Sequence, residues 1–178
     1  MIIGLLSDSH GNTAMLKNAL ETLVGYKTDA IIHCGDICDI AGLRLLSDLK
    51  IPVWLVAGNM DSHIQHKLEL TSQGTNVTFE HRTAEILLEN GEYLIATHGD
   101  NELLLEELIA AEKFPYICRG HTHKAFDTQY GSTRLICPGA ISGPRFPNFP
   151  TAAVLDTAKN KIDFYDISTP GSPVNFYL

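Results

Sequence analysis

The chain has 178 residues, of which 44% are hydrophobic and 19% are charged. This length predicts a single domain over 1–178, and the composition excludes a disordered chain or a fibre. Because 13 basic residues face 21 acidic ones, the formal net charge is −8, which disfavours the binding of long nucleic acids. No apolar run approaches the ~20 residues of a membrane span.

The first half of the chain alternates apolar runs with amphipathic segments. Three apolar runs predict buried strands over 2–6, 30–33 and 53–56. Asn12 or Thr13 is placed to cap a first helix, and a second helix is predicted over 41–49. This β–α–β–α–β order is typical of a parallel sheet with right-handed crossovers.

The second half is richer in short strands. The Asn90-Gly91 pair predicts a β-hairpin joining 84–88 to 93–97, and an acidic amphipathic helix follows over 101–112. Later apolar runs predict strands over 116–118, 125–130, 133–136, 152–156 and 162–167. An α/β protein with two sheets packed face to face and helices outside would bury all these runs. The apolar residues 174–178 either pack on the chain itself or join two subunits into a homo-oligomer.

Five polar clusters follow predicted strands. They are Asp8-Ser9-His10, Gly35-Asp36, Gly58-Asn59-Met60-Asp61, His98-Gly99-Asp100 and Gly120-His121-Thr122-His123. Ligands of α/β sheets bind beyond the carboxyl ends of the strands, so these clusters are expected to converge. Their carboxylate, carboxamide and imidazole groups together suit Mn²⁺, Fe or Zn²⁺. They offer more ligands than one tetrahedral ion needs, and enough for two ions if Asp36 bridges them.

Each cluster has a simpler interpretation when it is taken alone. Asp-x-His after a strand is typical of a cap or a turn, and Gly-Asp is a common turn. A single histidine such as His98 is typically a hydrogen-bonded surface residue. The joint occurrence of the five clusters, each after a strand, favours a metal centre over these separate explanations.

Other residues near the clusters are interpreted separately. His33 lies inside a strand and is interpreted as a hydrogen-bonded core residue or a neighbour of the centre. His63 and His66 are candidates for the rim of a substrate site, and Cys34 and Cys38 are interpreted as buried packing residues. The four cysteines form no CxxC pair and no signal peptide precedes them, so we expect reduced thiols in a cytoplasmic protein.

The order D-x-H, G-D, G-N-x-D, H and G-H-T-H resembles the calcineurin-like metallophosphoesterase superfamily, and within it the small bacterial and archaeal phosphodiesterase branch. The resemblance runs from Ile2 to about Ile167. It implies a four-layer α/β/β/α sandwich of two mixed sheets, with a metal site at the carboxyl ends of the strands. It also implies a small phosphate ester as substrate and two divalent ions, with Mn²⁺ as the first expectation and Fe, Zn²⁺ or Ni²⁺ as alternatives.

The resemblance further implies a role for each side chain. The first ion would be held by Asp8, His10, Asp36 and His123. The second would be held by Asp36, Asn59, His98 and His121. The residues expected to be catalytic are Asp36, Asn59 and His98. Arg119 and Arg145 are candidate phosphate contacts, because Arg pairs bidentately with phosphate oxygens; a surface salt bridge is the alternative for Arg145.

Met60 is a departure that bears on the substrate. It stands where phosphatase members of the superfamily carry the histidine of G-N-H-E. A methionine cannot transfer a proton, so hydrolysis of monoesters with poor leaving groups is disfavoured. We therefore expect hydrolysis of small phosphodiesters by a hydroxide that bridges two metal ions. A phosphomonoesterase and a non-catalytic interaction scaffold are the alternatives. Asp61 and Asp100 are expected either to orient a histidine or to serve as turn residues.

Overall fold

The computed structural model describes residues 1–169 and 174–176. Its helices are α1 (Thr13–Gly25), α2 (Ile40–Ser47), α3 (Gln65–Ser72) and α4 (Glu102–Ala110). Its strands are β1 (Ile2–Leu6), β2 (Ala30–His33), β3 (Val53–Val56), β4 (Val77–Glu80), β5 (Thr83–Leu87), β6 (Tyr93–Thr97), β7 (Tyr116–Cys118), β8 (Ala125–Tyr130), β9 (Thr133–Pro138), β10 (Thr151–Asp156), β11 (Lys161–Asp166) and β12 (Val174–Phe176). Among the described residues, no helix has the length and apolar character needed to cross a lipid bilayer.

The larger sheet has seven strands in the order β12-β11-β10-β1-β2-β3-β4. Strands β1 to β4 are parallel, with Ile3 opposite Ala30 and Ile31 opposite Val53. Because α1 and α2 connect the first three of them, the predicted parallel β–α–β–α–β arrangement is confirmed. Strands β10 to β12 join on the other side as antiparallel neighbours, so the sheet is mixed.

The smaller sheet has five strands in the order β5-β6-β7-β9-β8. Its three inner strands are parallel and its two outer strands are antiparallel to their neighbours. The predicted hairpin joins β5 to β6, and the Leu88 N–H donates to the Glu92 carbonyl at 2.8 Å. Gly91 in this turn has a φ of +85°, which residues with a Cβ atom rarely adopt.

Three apolar clusters lie between the layers. The first includes Leu23 and Leu68 and packs α1 to α3 on the outer face of the larger sheet. The second lies between the two sheets and includes Leu5 and Ile136. The third packs α4 on the smaller sheet through Leu105. The order of layers is therefore helices, sheet, sheet and helix, and the expected four-layer α/β/β/α sandwich is confirmed.

Side-chain caps explain where three helices begin. Asn12, Asp39 and Asn101 each accept a hydrogen bond from a backbone N–H in the first turn of α1, α2 and α4, respectively. Such a cap satisfies a donor that the first helical turn leaves without a partner. Of the two predicted caps of α1, Asn12 is therefore the one used, and Thr13 is the first helical residue.

Two elements are not predicted by the sequence pattern. Helix α3 buries only Leu68 and Ser72, so it lacks the apolar stripe that marks an amphipathic helix. Strand β4 lies at the edge of the larger sheet and only Val77 is fully buried in it. Such weak patterning is typical of elements that pack against a neighbouring layer on one side and bury few residues.

The apolar C-terminal segment was predicted to pack either on its own chain or on a second subunit. Its residues Val174–Phe176 form β12, which pairs antiparallel with β11. The backbone of this part therefore extends the chain's own larger sheet. Residues 177 and 178 lie outside the described residues.

His33 at the end of β2 links this strand to the loop that follows β1. The ring is fully buried, and its Nδ1 accepts a hydrogen bond from the Gly35 N–H at 3.3 Å. The neutral ring therefore carries its proton on Nε2, which lies 3.1 Å from Ser9 Oγ. Burial lowers the pKa of His33 from 6.5 to about 4, because the charged ring would lose its hydration.

We expect His33 to make the protein less stable in acid. The unfolded chain binds a proton at His33 between pH 6.5 and about 4, whereas the folded chain does not, so stability falls as the pH falls through this window. The shift corresponds to about 3 kcal/mol. In His33→Asn, the free energy of unfolding of metal-free protein, measured in urea from pH 7 to 4, should depend less steeply on pH. The exposed His63→Asn variant should keep the wild-type slope, and an unchanged slope in His33→Asn would contradict this account.

Candidate metal centre

The five polar clusters lie in loops beyond the carboxyl ends of β1, β2, β3, β6 and β7. Backbone hydrogen bonds tie these loops together. The Asp8 N–H donates to the Gly35 carbonyl at 3.0 Å, and the Gly120 N–H donates to the His98 carbonyl at 3.0 Å. The His121 N–H donates to Asp8 Oδ2 at 3.1 Å and so joins the loops of the two sheets. The expected convergence of the clusters is therefore observed.

Five of the seven predicted ligands have a left-handed backbone conformation. Their φ values lie between +44° and +68° for Asp8, His10, Asp36, His121 and His123. Each such residue costs of order 1–3 kcal/mol, and strain of this kind persists only where the surroundings over-determine it. Strained residues concentrate at functional sites, so this backbone indicates that the loops are shaped by a function.

The first group of side chains brings Asp8, His10 and His123 together. Asp8 Oδ1 lies 3.3 Å from His123 Nε2 and 3.9 Å from His10 Nε2. The two Nε2 atoms are 3.2 Å apart. One nitrogen of each ring and one carboxylate oxygen therefore surround a common point, an arrangement that could hold a metal ion.

The second group brings Asp36, Asn59, His98 and His121 together. His98 Nε2 lies 3.4 Å from Asp36 Oδ2 and 3.0 Å from Asn59 Oδ1. His121 Nδ1 lies 3.2 Å from the same Asn59 oxygen. Asp36 Oδ2 is also 3.9 Å from His10 Nε2, so Asp36 lies between the two groups. This is the position that the sequence analysis expects for a bridging carboxylate.

The hydrogen bonds of two rings show what these groups are shaped to hold. His98 Nδ1 lies 2.8 Å from the Cys34 carbonyl, and His123 Nδ1 lies 2.7 Å from the Gly143 carbonyl. A carbonyl only accepts, so each Nδ1 carries the proton of the neutral ring. Each Nε2 then directs a lone pair at a buried carboxylate oxygen of Asp36 or Asp8.

Two acceptors that face each other in a buried site need a cation between them. Consistent with this, Asp8 Oδ1 is buried and accepts no hydrogen bond from the described residues. Such an orphaned atom is costly, and a bound cation removes the cost. The donor set of carboxylate oxygens, an amide oxygen and imidazole nitrogens fits a divalent transition metal.

The same carboxylates favour protonation of these two rings when no metal is bound. The adjacent Asp8 carboxylate raises the pKa of His123. Burial opposes protonation of His98, but the hydrogen bond and the charge of Asp36 outweigh it and raise the pKa of this ring. Burial also opposes ionisation of Asp36, yet His98 and the Met60 N–H lower the pKa of this carboxyl. The centre therefore favours the binding of positive charge.

Asp61 has a role that the sequence analysis did not identify. Its buried carboxylate accepts backbone N–H groups from Gly58 at 2.8 Å, Asp36 at 2.9 Å and Cys38 at 2.7 Å. It contacts no histidine of the centre through a described hydrogen bond, so of the two alternatives for Asp61 the turn residue is the one observed. Instead it holds the loop after β2 against the loop after β3.

Gly58 makes this close approach of the two loops feasible. A Cβ atom added at Gly58 would overlap Asp36 Oδ1 and lie within 2.7 Å of Asp36 Cγ. Only glycine therefore lets the backbone of one loop lie directly against the carboxylate of the other. The same Asp36 Oδ1 accepts the Met60 N–H at 2.8 Å, which fixes the orientation of the carboxylate.

The remaining predicted residues lie at the edges of the centre or away from it. Arg145 is exposed, and its backbone N–H donates to the His123 carbonyl at 2.8 Å. The Arg119 guanidinium donates to the carbonyls of Gly99 and Gly120, so it supports the loops that carry His98 and His121. No described salt bridge includes either arginine, so the salt-bridge alternative for Arg145 is not observed.

Two interpretations from the sequence need correction. Cys34 is buried as expected, but Cys38 is only half-buried and its Sγ lies 3.5 Å from His10 Nδ1. His63 and His66 are exposed and do not line the cavity beside Asn59. That cavity is lined instead by residues of several segments, including Ser62, Gln65, His81, Arg82 and Asp100. Sequence spacing alone had no signal for His81 and Arg82, which come from the turn between β4 and β5.

Comparison with known protein families identifies the superfamily of the chain. The model of the calcineurin-like phosphoesterase superfamily domain matches residues 1–160. The chain belongs to this superfamily. The expected resemblance is thus confirmed, and the superfamily is one of metal-dependent phosphoesterases.

Individual relatives agree with this assignment to the calcineurin-like superfamily. The chain is 24% identical to phosphodiesterase MJ0936 of Methanocaldococcus jannaschii over 161 residues. This match covers 90% of this chain and 96% of that protein. The fold matches a solved archaeal phosphodiesterase with a TM-score of 0.78 at 21% identity, covering 99% of this chain and 100% of the other. It also matches zinc-complexed Vps29 of Entamoeba histolytica with a TM-score of 0.70 at 18% identity, covering 99% and 97%.

We expect Asp61→Asn to weaken metal binding. The amide would place an NH₂ group against backbone N–H donors, so the Asp36 loop would lose part of its support. Affinity for Mn²⁺, measured by calorimetry on the folded protein, should fall about tenfold or more, as for other residues that orient metal ligands. Asp39→Asn is the matched control, because its amide oxygen can still cap α2. Equal affinity in Asp61→Asn and the control would refute this role.

Proposed function

We propose that the protein is a metal-dependent phosphodiesterase that hydrolyses small phosphodiesters. The observation that carries this proposal is the pair of histidine nitrogens, on His98 and His123, that face buried carboxylate oxygens. Buried acceptors that face each other would be costly if their role were purely structural, so this polar centre supports the binding of a cation. The whole of residues 1–178 would act as one catalytic domain.

In this proposal the seven side chains divide between two divalent ions. The first ion is held by Asp8, His10, Asp36 and His123. The second is held by Asp36, Asn59, His98 and His121. Mn²⁺ is our first choice, with Fe, Zn²⁺ or Ni²⁺ as alternatives, because the donors mix hard oxygens with imidazole nitrogens. The position of Asp36 Oδ2 between His10 and His98 supports its sharing by both ions.

When bound, two divalent ions lower the pKa of a shared water and offset the charge that develops on a phosphate. The chain's own residues prepare the site for this chemistry. Hydrogen bonds from Nδ1 to carbonyls fix the His98 and His123 rings with Nε2 towards the centre. The buried Asp36 and the amide of Asn59 hold their oxygens beside His98, and these three are the proposed catalytic residues. Arg145 at the exposed edge is the proposed contact for a phosphate oxygen.

Met60 supports a preference for diesters over monoesters. Its side chain is 52% exposed, and its backbone is fixed by the bond to Asp36. A thioether cannot protonate a leaving oxygen, so a leaving group must depart with the help of water or be a weak base. Activated phosphodiesters meet this condition, whereas monoesters with strongly basic leaving groups do not.

A non-catalytic scaffold is the second candidate, and the likeness in fold to Vps29 is the observation that favours it. The complete set of seven side chains favours the enzyme, because a scaffold has no need of strained loops around paired acceptors. The net charge of −8 argues against long nucleic acids as substrates. We also propose a cytoplasmic location, because the four cysteines are free thiols and three of them are buried.

Removing the metal and then adding it back tests the proposed activity. Metal-free protein should be inactive, and Mn²⁺ should restore hydrolysis of bis(p-nitrophenyl) phosphate with a kcat/KM about tenfold or more above that for p-nitrophenyl phosphate, a margin of roughly 1.4 kcal/mol. Asp36→Asn should stay close to the metal-free rate, whereas Asp39→Asn should behave as wild type. A protein that binds two ions yet cleaves neither compound would favour the scaffold.

Met60→His tests the reason for the diester preference. Adding an acid beside the centre should raise hydrolysis of monoesters relative to diesters by about tenfold, the lower part of what general acids contribute. Met60→Leu is the matched control, because leucine keeps the apolar character and carries no proton. The measurement is the ratio of kcat for phenyl phosphate, whose leaving group is strongly basic, to that for bis(p-nitrophenyl) phosphate, whose leaving group needs no proton. If the ratio is the same in all three proteins, position 60 does not determine the preference.

A further inference from the structure

A basic cleft adjoins one side of the candidate metal centre. Its volume is about 340 Å³. Its lining residues come from the loops after β7 and β9 and from the start of α4. They are Glu102, Arg119, His121, Thr122, Lys124 and Arg145. His121 also belongs to the centre, where its Nδ1 lies 3.2 Å from Asn59 Oδ1. The cleft is therefore continuous with the place where a phosphate ester would bind.

Positive charge in this cleft exceeds negative charge. Three cationic side chains face the single carboxylate of Glu102. Lys124 and Arg145 are exposed and take part in no described salt bridge. Such an excess is notable in a chain of net charge −8, because its acidic residues could have paired these cations. Unpaired cations beside a reaction centre are typical of anion recognition.

Backbone contacts place the residues that carry the two exposed cations beside the centre. Lys124 directly follows His123 in the chain. The Arg145 N–H donates to the His123 carbonyl, and Lys124 forms a parallel β-bridge with Phe146.

A second cavity beside the centre has a different character. A cavity of about 290 Å³ beside Asn59 contains one cation, Arg82, and one carboxylate, Asp100, among neutral polar residues and Leu104. Asn101 lines this cavity, and its neighbour in the chain, Glu102, lines the basic cleft. A diester bound at the centre would therefore have one ester arm in a basic cleft and the other in a cavity with balanced charge.

We propose that the basic cleft binds a second anionic group of the substrate, so that the preferred diester carries a carboxylate or phosphate on one ester arm in addition to the scissile phosphate. Lys124 is the specificity-determining residue for this group. This inference rests on the proposed phosphodiesterase function. A lysine suits the role because its compact charge on a flexible stem attracts carboxylate and phosphate alike, whereas Arg145 contacts the scissile group.

Three substrates with the same leaving group test this inference: the p-nitrophenyl phosphodiesters of propanol, 3-hydroxypropanoate and 2-phosphoethanol. With Mn²⁺, the two charged compounds should have a kcat/KM about tenfold above that of the propyl ester, mainly through a lower KM, as expected for a charge-assisted contact. The advantage should shrink as the salt concentration rises from 0.01 to 1 M, because salt shortens the Debye length. The carboxylate and phosphate arms show which anion is preferred.

Lys124→Gln should remove most of the advantage of the charged compounds and leave hydrolysis of the propyl ester unchanged. Lys50→Gln removes the same charge from the segment between α2 and β3, which leads into the amino end of β3, whereas the centre lies beyond the carboxyl ends of the strands. Arg82→Gln removes a charge from the other cavity. Both controls should keep the wild-type preference. A merely structural role of Lys124 would lower hydrolysis of all three compounds together.

Each outcome bears on one proposal or on both. Equal hydrolysis of the three compounds by the wild type, or an unchanged preference in Lys124→Gln, would overturn the anionic subsite and leave the phosphodiesterase intact. If Mn²⁺-loaded protein cleaves none of them, the proposed activity fails, and calorimetry then tests the cleft by itself. In that case the charged compounds should still bind more tightly to the wild type than to Lys124→Gln, and equal binding would refute the cleft.

Discussion

The buried carboxylate of Asp61 is the constraint on which the centre depends. A carboxylate without water needs hydrogen-bond donors, and Asp61 obtains them from the backbone N–H groups of Gly58, Asp36 and Cys38. The loops after β2 and β3 are thereby fixed to each other. Since Asp36 follows one of these strands and Asn59 the other, a single interaction determines how these two residues lie relative to each other. Helix propensity and strand pairing alone would not determine the distance between these two loops.

The second constraint is the packing of the two sheets. Asp8, Asp36 and Asn59 follow strands of the larger sheet, whereas His98, His121 and His123 follow strands of the smaller one. The centre therefore exists only where the sheets are held face to face by the apolar cluster between them. The Ile141 N–H donates to the Ser7 carbonyl, and the His121 N–H to Asp8 Oδ2. Core packing and loop contacts thus act together on the distances between candidate ligands.

Much of this arrangement is readable from the sequence, because strands and ligands leave local signals. The parallel order of β1 to β3, the hairpin at Asn90-Gly91 and the convergence of the five clusters follow from apolar runs and from where polar residues interrupt them. Asp61 is different. It lies in one of the clusters, but its partners are backbone N–H groups up to 25 residues away, and backbone donors carry no residue-type signal.

Other omissions have the same physical origin. Helix α3 and strand β4 are weakly patterned because each rests on one side against an existing layer. Cys38 reads as a packing residue, yet the left-handed backbone at this position, with a φ of +64°, goes with a thiol beside His10. Arg82 comes to the cavity beside Asn59 through the β4–β5 turn, so its place follows from an edge strand that the pattern does not reveal. Local pattern predicts elements, whereas contacts between loops require the assembled layers.

The charge distribution connects the fold to the size of the substrate. A net charge of −8 repels an extended polyanion along its whole length. The cations of the basic cleft act over about 8–10 Å at physiological salt, so they can offset this repulsion for an anion bound at the centre and for little beyond it. A diester with one further charge would fit within that range, whereas a long nucleic acid would extend past it. Local cations on an acidic chain therefore favour small, highly charged substrates over polymers of the same chemistry.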